Sequence, residues 1–307
     1  MLGIDHCENH HDNISSQEIT LTPTQIDAAA QILKKARLEK SVIENIPLEF
    51  RPQNLKEAYR VQDRLIEILG LETSGWFCAC TNKRIQQILK LEEPYYARLL
   101  KSYVFEEPVT LKSEDYPPIV IECEFGFRLG SDLPKRPTPY EREEVENAIC
   151  EVHPTIEVVA GHLIDWPNQD VWSVIADNGT DGALIYGVGC KLWRELDLVQ
   201  SQVSLTVNGK CERTGYGANV LGDPLDALVW LVNARSRDGD GLKAGDIIIS
   251  MDDKDIQVVP QVIELLWERN PGDQISFKLY RDGEYHTIDI VLGKSKKDPV
   301  PVITDPK

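Results

Sequence analysis

"IECEFGF", residues 121–127, sets two carboxylates, Glu122 and Glu124, one residue apart inside an apolar run. Along a β-strand residues i and i+2 share a face, so both acids point the same way. Side by side in an apolar strand they repel, and desolvation adds to the cost. Two arrangements relieve it. Either one face of the strand is open to water and the acids are solvated, or both are oxygen ligands of a hard divalent cation such as Mg²⁺ or Mn²⁺. The second arrangement needs a third ligand. Glu157, isolated in the apolar stretch "HPTIEVVAGHLIDW" (153–166), is the candidate. Three acids in β-context without competing sulfur favour a metal that keeps open positions, and an α-keto acid or an enolate can chelate there.

Outward from this strand the texture is α+β. "LTPTQIDAAAQILKKAR" (21–37) predicts a helix with Thr22 as N-cap and Pro23 in the first position. "LKEAYRVQDRLIEIL" (55–69) predicts a second. From residue 75 short β-type runs alternate with helical patterns at "YEREEVENAICEV" (140–152) and "PLDALVWLVNAR" (224–235). Residues 241–293 read as a block of their own, with Asp282-Gly283 as a hairpin turn between alternating strands.

Composition narrows the function classes. The 307 residues carry 33 basic and 50 acidic side chains, a net charge of −17. Nucleic-acid binding needs clustered Lys and Arg and is not expected. An acidic chain fits a cation-binding or small-molecule role. No apolar stretch is long enough for a membrane-spanning helix. The start, "MLGIDHCENHHDN", lacks the regions of a signal peptide. Seven cysteines without paired CxxC spacing read as reduced thiols in a cytoplasmic protein. "FCAC" (77–80) reads as strand, and the cluster His6, Cys7, His10 and His11 as a terminus.

Five stretches, in this order, resemble the 2-keto-4-pentenoate hydratase branch of the fumarylacetoacetate hydrolase superfamily: "IECEFGFRLGSDLP" (121–134), "AICEVHPTIEVV" (148–159), "IADNG" (175–179), "GYGANVLGDPLDALVWLVNA" (215–234) and "GLKAGDIII" (241–249). The resemblance implies a mixed β-roll core behind an N-terminal helical region, and a homo-oligomer. It implies that Glu122, Glu124 and Glu157 hold a divalent metal. That metal would bind a small 2-oxo acid and stabilise its enolate while water adds to a conjugated double bond.

Four departures stand out. "GWFCACTN" (75–82) aligns with a family strand reading Gly-x-Lys-x-Gly-x-Thr, so Phe77 replaces the lysine that usually moves the proton and Ala79 the second glycine. Phe cannot exchange a proton. "SMDDKD" (250–255) replaces a small loop for the substrate carboxylate, leaving Ser250 as a donor. His162 stands where the family often has Arg; it is a pH-dependent substitute or a packed histidine. Asp177 and Asn178, in "ADNG", bracket the site or form a turn.

The fourth departure is the block at 241–293, which resembles the second half of a PDZ domain. Strand addition of a peptide needs a free edge, so the block is read as completing the sheet and PDZ-type peptide binding is not expected. The expected organisation is a hydratase-like domain over 1–240 (helical over 1–72), a PDZ-like half domain over 241–293 and a tail over 294–307. The expected function is a metal-dependent hydratase acting through an enolate. The alternatives are a redirected member (cyclase, tautomerase or decarboxylase on a larger apolar substrate) and a non-catalytic scaffold, both motivated by Phe77.

Overall fold

The computed structural model describes residues 20–112, 115–207, 210–251, 274–281 and 284–292. In chain order the elements are α1 (Pro23–Leu38), α2 (Leu55–Leu69), β1 (Thr73–Ala79), α3 (Lys83–Leu89), β2 (Tyr95–Leu100), β3 (Val104–Glu106), β4 (Val109–Leu111) and β5 (Val120–Leu129). Next come β6 (Leu133–Pro134), α4 (Arg142–Ala148), β7 (Ile149–Val159), α5 (Val171–Ala176), β8 (Asp181–Tyr186), β9 (Gln202–Val207) and β10 (Lys210–Tyr216). The chain continues with α6 (Pro224–Asp238), β11 (Gly241–Leu242), β12 (Ile247–Met251), β13 (Gln274–Arg281) and β14 (Glu284–Leu292). The N-terminal leader with its His and Cys cluster, residues 252–255 of "SMDDKD", the Asp282-Gly283 turn and the tail lie outside the described residues.

Contacts divide the chain into two compact units, residues 1–72 with 161–180 and residues 73–160 with 181–307. β12, inside the block that begins at 241, pairs with β1 on one side and β5 on the other. It is an interior strand of the main sheet, so the block supplies part of that sheet.

The first unit is helical. Thr22 caps α1 through Gln25 in a capping box, and Pro23 opens the helix. Asn54 caps α2, which ends on Gly70 at φ 65°. Ile26, Ala29, Ala30 and Leu33 of α1 pack with Val61, Leu65, Leu163 and Ala176 in one core. Glu57 is buried in α2, and its carboxylate accepts from the backbone of Thr20, Leu21 and Gln53. Burial alone would raise its pKa, but those hydrogen bonds hold it below the usual carboxylate range. The chain returns to this unit at 161–180, where Asp177 is fully buried against Arg37 of α1 at 3.1 Å. His162 donates its backbone N–H to the same carboxylate at 2.8 Å, with its ring Nδ1 at 3.2 Å.

The second unit carries a seven-stranded sheet in the order β2-β1-β12-β5-β7-β8-β3 and a five-stranded sheet in the order β10-β9-β13-β14-β4. The first is mixed: β1 and β12 run parallel, as do β3 and β8, while β12, β5, β7 and β8 alternate. It curls so that β2 approaches β8. One difference from expectation concerns residues 140–152, which the sequence suggested as one helix. α4 stops at Ala148, and the alternating "ICEVHPTIEVV" continues as β7 with Val152, Thr155, Ile156 and Glu157 buried between two neighbouring strands. The helical spacing of α4 and the strand alternation of β7 overlap at "AIC", and the pairing partners of β7 decide the boundary.

The buried Arg37–Asp177 pair makes a testable contribution. Burial raises the Asp177 pKa, but the charges of Arg37 and His162 and the hydrogen bonds from His162 lower it further than burial raises it. Its stabilisation is therefore complete above the ordinary carboxylate pKa of about 3.9 and is lost as pH falls through the lowered value. Arg37→Met takes the guanidinium from a buried carboxylate, leaving it the contacts with His162, and should cost about 3–5 kcal/mol in urea unfolding at neutral pH. Asp177→Asn should show a shallower acid-side loss than wild type. A loss under about 1 kcal/mol in Arg37→Met would mean that water already reaches the carboxylate.

Candidate metal centre

The site is set by how β5 lies against β7. Their register opposes Glu122 to Glu157, Glu124 to Thr155, Gly126 to His153 and Arg128 to Glu151. Directly opposed residues of an antiparallel pair share a face, so all of these positions lie on one side of the sheet. One carboxylate oxygen from each of Glu122, Glu124 and Glu157 lies within 4.8 Å of the other two. Glu124 and Glu157 are buried, at 4% and 2% exposure, and Glu122 is half-buried. The solvated-strand reading fails on this burial.

At an effective dielectric near 20, two unit charges at this separation repel by about 3–4 kcal/mol. A divalent cation reverses the sign of that balance. The donors are carboxylate oxygens only, a hard set suited to Mg²⁺ or Mn²⁺, and three ligands leave an octahedral ion open positions. Thr155 Oγ1, one rung from Glu157, is buried and has no hydrogen-bond partner among the described residues. The residues present fit such an ion.

The surroundings are apolar on one side. A small cavity beside Glu157 is lined by Leu99, Val104, Gly182, Ala183 and Leu184, with Tyr103 and the buried Asp181 as its other polar walls. Phe77 of β1 is 1% exposed; its register partners are Ala97 and Ile249, and Ile249 in turn opposes Gly126. The ring therefore stands on the carboxylate face, in the row of Gly126 and His153, and brings no titratable group there. Cys78, the next residue, turns to the other face. Burial pushes its thiol well above the usual range, and the charges of Glu124 and Glu93 add to this, so it is a poor nucleophile at neutral pH. Tyr96 stacks edge-on against Trp76, with Arg235 over both rings, and belongs to packing.

The structure brings together three of the sequence-chosen residues, Glu122, Glu124 and Glu157. Ser250 lies in the same sheet, but its partners are Cys78 and Phe125, so alternation turns it to the face opposite Glu124. There its buried hydroxyl has no hydrogen-bond partner among the described residues. His162 and Asp177 meet each other and Arg37 within the helical unit. Asn178 is buried at φ 54° in the turn after α5. Residue selection by motif passed over Thr155, His153 and Arg128. Their signal was present: the same i, i+2 alternation that pairs Glu122 with Glu124 continues to Gly126 and Arg128, and Glu157 leads back to Thr155, His153 and Glu151.

Comparison with known proteins follows this geometry. The fold is similar to that of 4-oxalocrotonate decarboxylase from Pseudomonas putida G7, solved with magnesium and adipate. It aligns with a TM-score of 0.76 at 24% identity over 90% of this chain and all of that one. The chain is 34% identical to 2-keto-4-pentenoate hydratase of Paraburkholderia xenovorans (strain LB400), over 75% of this chain and 86% of that protein. It is 28% identical to 2-hydroxyhexa-2,4-dienoate hydratase of Comamonas testosteroni, over 74% and 85%. The fold is that of the fumarylacetoacetate hydrolase superfamily. Within it, the chain belongs to the 2-keto-4-pentenoate hydratase family.

A PDZ domain model also matches residues 215–292. That segment is shared between two sheets, with β12 in the seven-stranded one and β13 and β14 in the five-stranded one, where β13 lies between β9 and β14.

Phe77→Ala tests how tightly the carboxylate face is packed. Removing a fully buried ring should lower stability by about 3–5 kcal/mol, read as a drop in thermal midpoint. A loss below about 1 kcal/mol would mean that the face is loosely filled around residue 77.

Proposed function

We propose that this chain is a divalent-metal-dependent lyase of the hydratase type, acting through an enolate on a small 2-oxo or enol acid. The observation that carries the reading is the set of three carboxylate oxygens within 4.8 Å, supplied by opposed positions of β5 and β7. Mg²⁺ or Mn²⁺ held by Glu122, Glu124 and Glu157 would supply Lewis acidity at the oxo-acid end of the substrate. The chain's own residues do the rest. Leu99, Val104 and Leu184 give apolar walls to a small cavity beside Glu157, which Asp181 and Tyr103 also line. Phe77 gives an apolar surface on the same face. The unpaired Thr155 hydroxyl can donate to a bound carboxylate or carbonyl. Cys78, Cys80, Cys123, Cys150 and Cys190 form no disulfide among the described residues, which fits a reducing, cytoplasmic setting.

Phe77 favours a second reading. Without a proton carrier at that position, the enolate chemistry can lead to decarboxylation or cyclisation rather than hydration. The two are separated by products: water addition to 2-hydroxypenta-2,4-dienoate supports the first, and CO₂ release or ring formation from a 2-oxo acid supports the second.

Calorimetric titration of Mg²⁺ and Mn²⁺ into chelator-treated protein tests the common core. Saturable binding that disappears in Glu124→Ala is expected, with a stabilisation of about 2.7 kcal/mol at metal concentrations 100-fold above Kd. The absence of saturable binding in the wild-type protein would remove both readings and leave an inert scaffold.

A further inference from the structure

The carboxylate face continues past the metal centre. Same-face positions on β5 run Glu122, Glu124, Gly126, Arg128, opposite Glu157, Thr155, His153 and Glu151 on β7. Successive rungs are about 6.8 Å apart, so one two-stranded track leads from three carboxylates, past a hydroxyl and an imidazole, to a guanidinium. Its two ends have opposite charge. Gly126 keeps the track open: a Cβ there would stand 2.6 Å from Thr155 Cγ2 and 3.5 Å from His153 Cβ.

Arg128 is fixed in place but keeps binding capacity. Its Nε donates to His153 Nε2 at 3.3 Å and lies 3.6 Å from Glu151. His153 Nδ1 lies 2.8 Å from the Gly187 carbonyl; donation there leaves Nε2 as the acceptor that Arg128 needs. The guanidinium sits over the Tyr186 ring, Cζ 5.5 Å from the centroid, and His153 meets that ring edge-on. Tyr186 opposes Thr155 in the register, so Arg128 leans from its own rung back toward that of Glu124. Among the described residues neither Nη1 nor Nη2 donates a hydrogen bond. Glu151 is shared with Lys191 at 3.7 Å, so one carboxylate faces two cations and the cluster has an excess of positive charge. Thr155, 3% exposed with its hydroxyl unpaired, is an independent sign that a polar ligand group belongs between the two ends.

We propose that Arg128 binds a second anionic group of the substrate, a carboxylate remote from the metal centre, so that the chain selects dianionic 2-oxo acids. Two parallel Nη donors match a carboxylate edge. His153, Glu151 and Tyr186 are positioning residues for that fork. The inference rests on the oxo-acid reading above and names its substrate class.

The test is calorimetric binding of 2-oxoadipate and 2-oxohexanoate to Mg²⁺-loaded protein. The two have the same chain length and differ in the distal carboxylate. Wild type should prefer the diacid by about ten-fold or more. Arg128→Met should erase that preference while leaving 2-oxohexanoate within about two-fold of wild type, and Arg128→Lys should recover part of it. Binding of 2-oxohexanoate without preference for the diacid, or equal weakening of both ligands in Arg128→Met, overturns the role of Arg128 alone. Failure of both oxo acids to bind the loaded wild-type protein overturns the oxo-acid reading beneath it.

Discussion

Three carboxylates held against one another in a largely buried sheet face are the constraint around which this molecule is arranged. Their proximity comes from register: Glu122 opposes Glu157 because β5 and β7 pair in one alignment. A slip of one residue would send Glu157 and the two β5 acids to opposite faces and bury Ile156 and Val158 against the wrong neighbours. Several features keep that alignment. β12 and β8 flank the pair, so neither β5 nor β7 is an edge. On the reverse face Ile156, Val158, Ala183 and Ile185 form a core with Ile121 and Cys123 beside them. The apolar reverse side thus fixes in place a polar front whose own charges oppose it.

Much of this was legible in the sequence, and for identifiable reasons. The E-x-E spacing and the isolated Glu157 are strand-period signals, and period-2 alternation is local information. The helices α1 and α2 carry their own caps in Thr22, Pro23 and Asn54, and they fall where spacing placed them. Less legible were features set by partners far along the chain. α4 ends at Ala148 because Ile149 onward pairs with β5, and from Thr155 with β8 as well, which no local pattern in "AICEV" announces. Ser250 lies after a readable strand, yet its face depends on which β5 residue it opposes, and that is Phe125. The pairing of His162 with Asp177 and Arg37 depends on the chain returning to the helical unit after a long excursion.

The segment that matches a PDZ domain shows how a local pattern and a global fold can disagree. Its strands are real, but their neighbours come from elsewhere: β1 and β5 for β12, β9 for β13 and β4 for β14. A strand–turn–helix–hairpin pattern records secondary structure and says little about which sheet each strand will join.

The place of β12 also governs how the chain is made. β1 pairs with it in parallel across about 170 residues of intervening sequence. When β1 and β5 leave the ribosome, the strand that joins them has not yet been synthesised. Until it arrives, both present open, apolar edges of the kind that recruit foreign strands. The main sheet can close only near the end of translation. A growing chain of this protein therefore carries two unpaired strand edges for much of its synthesis, and a message truncated before residue 247 leaves both without the strand that joins them.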